Sequence, residues 1–196
     1  GYEALSVLLS EANMRGSKAA PVLYIADLAR LPPSTACLVI PPENPDAGYS
    51  AQLAQINQVA QGPVFAGAAL YRDGVDDARL AVLATAAAAN NLPLTAVGDC
   101  LYHVPDRRPL ADVLTCIREK CLLDKAGHLL SRNAERHLIT PEETARRWRH
   151  YPEALAAAAD LANLCKFAMS DLSYEYPSEV TPGGRDAMQE LEYQAY

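Results

Sequence analysis

Between residues 36 and 97 short apolar runs alternate with longer amphipathic stretches, and chain breakers separate them at regular intervals. Ala36-Cys37-Leu38-Val39-Ile40 reads as a strand stopped by Pro41-Pro42, since proline cannot donate to a β ladder. Ser50 stands where it can cap a helix carrying Leu53, Ile56 and Ala60, closed by Gly62-Pro63. Val64 to Leu70 reads as a second strand. Asp76 stands where it can cap a helix with Leu80, Leu83, Ala84 and Ala87 on one stripe, ended by Asn90-Asn91. Leu94-Thr95-Ala96-Val97 is a third strand, broken by Gly98. Strand, helix, strand, helix, strand at these lengths predicts βαβ units, with neighbouring parallel strands joined by right-handed helical crossovers. The expected fold class is therefore α/β. Three parallel strands make a small sheet with exposed edges, which calls for further strands before Gly1 or a partner on an edge.

The flanks read as helical. Leu5, Leu8, Leu9 and Ala12 recur at i, i+3, i+4 and i+7, and a short helix is expected at 24–30. After Asp99 strand patterns give way to helical ones. Pro109 fits the first turn of a helix with Leu110, Val113, Leu114, Ile117 and Cys121 on one face. Thr140-Pro141-Glu142-Glu143 combines a cap, a proline at the first helical position and a glutamate at the third. A helix at 152–167 aligns Leu155, Ala158, Ala159, Ala162 and Cys165. Residues 173–180 read as extended, and a last helix near 186–195 carries Met188, Leu191 and Ala195. The chain thus divides near residue 105, with an α/β domain over 1–105 and a mostly helical segment over 106–196.

Composition sets what can hold such a fold together. There are 35 alanines against two Phe and one Trp, so burial comes from many small contacts and from Leu, Ile and Val. The net charge of −7 argues against a general nucleic-acid-binding surface. It is uneven: residues 107–150 carry 10 basic and 6 acidic side chains, residues 151–196 carry 2 and 8. The basic segment either pairs with the acidic tail or faces a phosphate backbone. No apolar run reaches the roughly 18 residues of a membrane span, and no signal peptide opens the sequence. Five cysteines without framework spacing read as reduced thiols of a cytoplasmic protein, and Cys116 and Cys121, five apart, are not expected to share a face. Four scattered histidines exclude a zinc finger.

Parallel α/β sheets carry their sites at the C-terminal ends of strands. Pro41-Pro42 offers no chemistry there, Tyr71-Arg72-Asp73 offers a charged pair, and Gly98-Asp99-Cys100-Leu101-Tyr102-His103 offers a carboxylate, a thiol and an imidazole. Asp99 and His103 are two ligands for a hydroxide-generating metal ion, which needs three or more others, yet residues 1–98 contain no histidine. The plainer reading makes Asp99 a turn former. Cys100 and His103 form a weak nucleophile pair, for which a structural thiol is the simpler account. Neither GxGxxG, GxxxxGK nor G-x-S-x-G occurs. Arg146-Arg147-Trp148-Arg149 reads first as a helix end with the Trp turned inward, and second as a phosphate contact through Arg146, Arg147 and Arg149.

The stretch from Val97-Gly98-Asp99-Cys100-Leu101-Tyr102-His103 through Pro109-Leu110 to Ile117-Arg118 resembles the end of the PHP (polymerase and histidinol phosphatase) domain of bacterial C-family DNA polymerases. Asn133-Ala134-Glu135-Arg136-His137-Leu138 is similar to the next landmark of that family, and Leu172-Ser173-Tyr174-Glu175-Tyr176-Pro177-Ser178-Glu179 to a third. The tyrosine-rich third landmark and the Leu-Tyr-His ending resemble the error-prone branch. The resemblance implies the back half of a partial (β/α) PHP-type barrel plus the helical link toward the polymerase palm: a structural, non-catalytic fragment. The parent would extend DNA by nucleotidyl transfer in damage tolerance. Its earlier metal ligands would precede Gly1, and its palm, with Mg, would lie mostly past Tyr196, so the fragment itself is expected to need no cofactor. Implied partners are the rest of the polymerase chain, DNA and dNTP for the parent, and the sliding clamp and damage-response proteins. Metal-binding members end the barrel with Asp-x-His; here the imidazole position is Leu101, which leaves Asp99 as a degenerate remnant of a metal site. Two other readings stay open: a PHP-type metal-dependent phosphoesterase using Asp99 and His103, and an α/β protein-interaction module using its open sheet edge.

Overall fold

The computed structural model describes residues 1–17, 20–173 and 184–195. Strands form at Cys37–Val39 (β1), Val64–Ala69 (β2) and Leu94–Val97 (β3). They lie in the order β1-β2-β3 with both pairs parallel, Cys37 opposite Val64 and Ala66 opposite Leu94. Helices Ala47–Val59 (α2) and Asp76–Ala89 (α3) make the two crossovers, as the alternation predicts. The sheet is open rather than a closed barrel. All six residues of β2 are buried, which is why this strand reads as an unbroken apolar run rather than an alternating one.

The core combines Leu53 from α2, Val64, Ala66 and Ala68 from β2, Leu80, Leu83 and Ala87 from α3, and Leu94 from β3. Trp148 and Ala154 join the same cluster, and the helix Pro152–Leu164 (α6) packs against β3. Two compact units result, 1–164 and 165–196; elements on both sides of residue 105 share the core of the first.

Several local expectations are corrected. The α2 cap is Asp46, whose carboxylate accepts from the Gly48 N–H at 2.9 Å. Ser50 lies inside the helix, and its hydroxyl accepts from the Asn90 amide at 3.1 Å. Asp76 is the first helical residue of α3 rather than its cap. Its carboxylate accepts from the N–H groups of Tyr71 (3.0 Å) and Arg72 (2.6 Å), so it fastens the β2–α3 loop. In the opening helix, Tyr2–Arg15 (α1), Leu8 and Ala12 are buried while Leu5 and Leu9 are exposed.

The helix Arg108–Glu119 (α4) forms where Pro109 places it, but its side with Cys116 packs inward while Leu110, Val113, Leu114 and Ile117 are exposed. Lys120 then takes a left-handed conformation (φ +54°). That turn brings Cys121 back, so its N–H donates to the Cys116 carbonyl at 3.0 Å and its thiol lies against the Cys116 thiol. Burial first, and Cys121 second, push the Cys116 thiol up. All five cysteines are free thiols. Pro141–Arg147 (α5) starts as predicted, with the Thr140 hydroxyl accepting from the Glu143 N–H at 3.3 Å. The extended stretch expected over 173–180 falls almost wholly outside the described residues. The second unit contains Ala187–Ala195 (α7). Among the described residues no helix is long and apolar enough to cross a membrane.

Candidate functional site

The chain leaves β2 and β3 through strained turns. Arg72 (φ +52°) and Asp99 (φ +45°) both sit in the left-handed region, which aspartate tolerates better than most side chains. The strain places Tyr71, Asp73 and Asp99 at neighbouring strand ends. Burial first, then the bond to Asp99, push the Tyr71 phenol up to about 12, so it stays a proton donor. It donates to Asp99 Oδ2 at 2.7 Å.

Arg136, from the segment between α4 and α5, completes the cluster. Its Nη2 lies 2.7 Å from Asp99 Oδ2, and its Nε donates to the Asp99 carbonyl at 3.1 Å. Its guanidinium also stands 5.7 Å from the Tyr71 ring centre. Its own carbonyl accepts from the N–H groups of Leu101 (2.9 Å) and Tyr102 (3.3 Å). Nearby, Asn133 Nδ2 donates to the Tyr71 carbonyl at 2.7 Å, and Arg132 bridges Asp73 (3.4 Å) and Glu43 (3.5 Å). Residues 132–137 are thereby laced across the ends of β2 and β3. An open cavity of about 710 Å³ lies beside them, lined by Glu43, Tyr71, Asp73, Arg108, Arg132 and Arg136 among others.

A second cluster lies beneath the first. The buried Arg79 meets Asp73 at 2.6 Å and Asp76 at 2.9 Å. Burial pushes the Asp73 carboxyl up, but the Arg79 bond and the Val75 N–H outweigh it and hold Asp73 below its ordinary range.

Of the residues singled out in the sequence, Asp99 sits at the end of β3 in contact with Tyr71 and Arg136, whereas Leu101 and His103 are exposed. The Cys100 thiol donates to the backbone carbonyl of His137 at 3.2 Å, not to an imidazole ring. Arg146 and Arg147 both bind Glu143, and Arg147 also binds Glu135 at 2.9 Å. Arg149 is exposed, with Nη1 3.5 Å from the Arg146 carbonyl. Arg136 and Arg79 carry the geometry together with Tyr71, but no sequence signal marks these two: Asp99 lies 37 residues from Arg136, and the Asp76 that holds Arg79 reads as a helix cap. The one local signal was Tyr71-Arg72-Asp73 at a strand end. Tyr71 and Arg136 both hold Asp99 through the same oxygen, Oδ2, and the Leu101 side chain has no atom that can ligate an ion.

An α/β chain whose parallel strands end in a charged cluster is compatible with many activities, and comparison with known proteins shows what it is similar to. No family model matches the chain. The relatives it is similar to include error-prone DNA polymerases. It is 41% identical over 191 residues to that of Brucella abortus biovar 1 (strain 9-941), covering 97% of this chain and 18% of the relative. It is 40% identical over 192 residues to that of Rhodopseudomonas palustris (strain BisB5), covering 97% and 17%. Over 133 residues it is 47% identical to that of Bradyrhizobium sp. (strain ORS 278), covering 68% and 11%. The chain is thus a relative of the error-prone DNA polymerases and spans less than a fifth of the length of these matches.

Proposed function

We propose that the chain serves as a non-catalytic structural part of an error-prone DNA polymerase, corresponding to the back half of its PHP domain and the link toward the palm. The observation that carries this reading is the pattern of coverage: about 40% identity along 97% of this chain, against 18% or less of each relative. The open three-stranded parallel sheet is compatible with part of a (β/α) barrel. The whole protein would perform DNA-directed DNA synthesis on DNA and dNTP, with the rest of the polymerase chain as this segment's first partner; the sliding clamp and damage-response proteins are further partners of the parent.

On this reading the segment's work is mechanical. Residues 132–137 tie the strand ends to α5, because Arg147 on α5 binds Glu135. Trp148 and α6 then pack on the same core as the sheet. A load applied to the helices is passed to the sheet through side chains that are already satisfied. DNA contact would be secondary. Glu143 compensates Arg146 and Arg147, which leaves Arg149 as the best placed of the three for a phosphate.

The test uses a full-length relative and the purified chain. Deleting the matched segment from the relative is expected to abolish primer extension, while the purified chain neither extends primers nor releases phosphate from nucleotides. Asp99-dependent phosphate release by the purified chain would instead favour a phosphoesterase.

A further inference from the structure

We propose that Arg136 is a built-in cation at the end of β3: together with Tyr71 it holds Asp99 through Oδ2, neutralises the carboxylate where a divalent metal ion would otherwise do so, and makes it an anchor rather than a ligand. The inference stands on the geometry of the cluster and does not depend on the polymerase reading. Asp99 Oδ2 receives two donors at 2.7 Å, the Tyr71 hydroxyl and the Arg136 guanidinium. An ion approaching that oxygen meets a fixed positive charge and two bonds it must break.

The guanidinium is held in place rather than merely near. Nε reaches back to the Asp99 carbonyl, the Tyr71 ring lies beside it, and the Arg136 carbonyl is pinned by two N–H groups from residues 101 and 102. Swinging the Arg136 guanidinium away would break its bonds to both the carboxylate and the carbonyl of Asp99. An arginine keeps its charge across the whole physiological range, so this neutralisation needs no ion from solution and does not vary with metal supply. The consequence is a constitutive tie between the strand ends and residues 132–137 where a metal would have made a conditional one.

The test combines a binding titration with a mutant cycle on the whole 196-residue chain. Free Mn²⁺ is followed by electron paramagnetic resonance as protein is added, for the wild type and for Asp99→Asn. The two titrations are expected to superimpose, and EDTA is expected to leave the unfolding midpoint unchanged. Stability is then measured for Asp99→Asn, Arg136→Met and the double variant. Charge-assisted bonds of this kind predict that Arg136→Met lowers the folding constant roughly tenfold to a hundredfold. The loss should fall at least about fivefold when Asp99 is already Asn. Arg136→Lys, which keeps the charge and loses the fork, should lie between wild type and Arg136→Met, and stands in for Met if the Met variant does not fold. A stoichiometric Mn²⁺ that disappears in Asp99→Asn overturns the proposal. So does a cycle in which the two substitutions are simply additive.

Discussion

Removing Arg79 is the perturbation whose size the structure fixes best. Its side chain is 6% exposed, and its partners Asp73 and Asp76 are 5% and 15% exposed. Arg79→Met leaves a side chain of similar length with no charge, and strands two carboxylates in a poorly solvated pocket. Breaking a buried ion pair from one side costs about 3–5 kcal/mol. The guanidinium also lies 5.1 Å from the Tyr71 ring centre, a contact of about 0.5–2 kcal/mol. Arg132, 3.4 Å from Asp73, offsets part of the loss. The expected net cost is about 3–4 kcal/mol, or a fall in Tm of roughly 6–16 °C at about 2–4 °C per kcal/mol. Urea unfolding followed by circular dichroism measures it. The pH dependence supplies a second reading. Asp73 is held below its ordinary value of 3.8, so its contribution is present above about pH 3.8 and is lost as pH falls through the lower folded value. Without Arg79 only burial and the weaker partners remain, so the gap between variant and wild type should narrow below about pH 3.8. A cost under about 1 kcal/mol at pH 7, or a gap that is constant with pH, would refute the reasoning.

Trp148→Ala should cost about 3–5 kcal/mol although Trp148 lies outside the α/β stretch, because it sits in the core shared with β2 and β3; thermal unfolding checks this. Bonds from Arg146 and Arg147 hold the Glu143 carboxyl down at about 2. Its contribution is therefore complete above about pH 4.5 and disappears as pH falls toward 2, so the stability difference between wild type and Glu143→Gln should close over that window in acid titrations of the unfolding midpoint. DNA binding by the chain should be weak and lost with salt, with a shallow slope of one or two phosphates and a further loss in Arg149→Ala; fluorescence titration at low and physiological salt reads it, and sub-micromolar affinity at physiological salt contradicts it.

The strands were legible because β2 is buried on both faces and its neighbours are cut by Pro41, Pro63 and Pro93. Cap identity was less so. Asp46 and Ser50 are both good caps four residues apart, and Asp46 takes the role by bonding the Gly48 N–H. Asp76 reads as a cap from its spacing, but the N–H groups of Tyr71 and Arg72 draw its carboxylate back into the preceding loop. The apolar stripe of α4 is legible from its spacing, but Leu110, Val113, Leu114 and Ile117 on it are exposed: periodicity identifies the stripe, not what covers it. For the site, Asp99 was visible as a carboxylate at a strand end. Its partners were not, since Tyr71 and Arg136 lie 28 and 37 residues away and no local spacing encodes that meeting.

The central claim is that this chain supplies structure to an error-prone DNA polymerase, and substitution into a whole enzyme tests it most directly. The chain is exchanged for the matching stretch of one full-length relative, and primer extension by the purified chimera is compared with the parent and with the deletion. The account predicts extension within about tenfold of the parent, since the loss of one or two non-ideal contacts costs on the order of 1.4 kcal/mol. It also predicts that Asp99→Asn in the chimera leaves extension nearly unchanged. A folded chimera no more active than the deletion, or extension that collapses with Asp99→Asn while the fold survives, would contradict it.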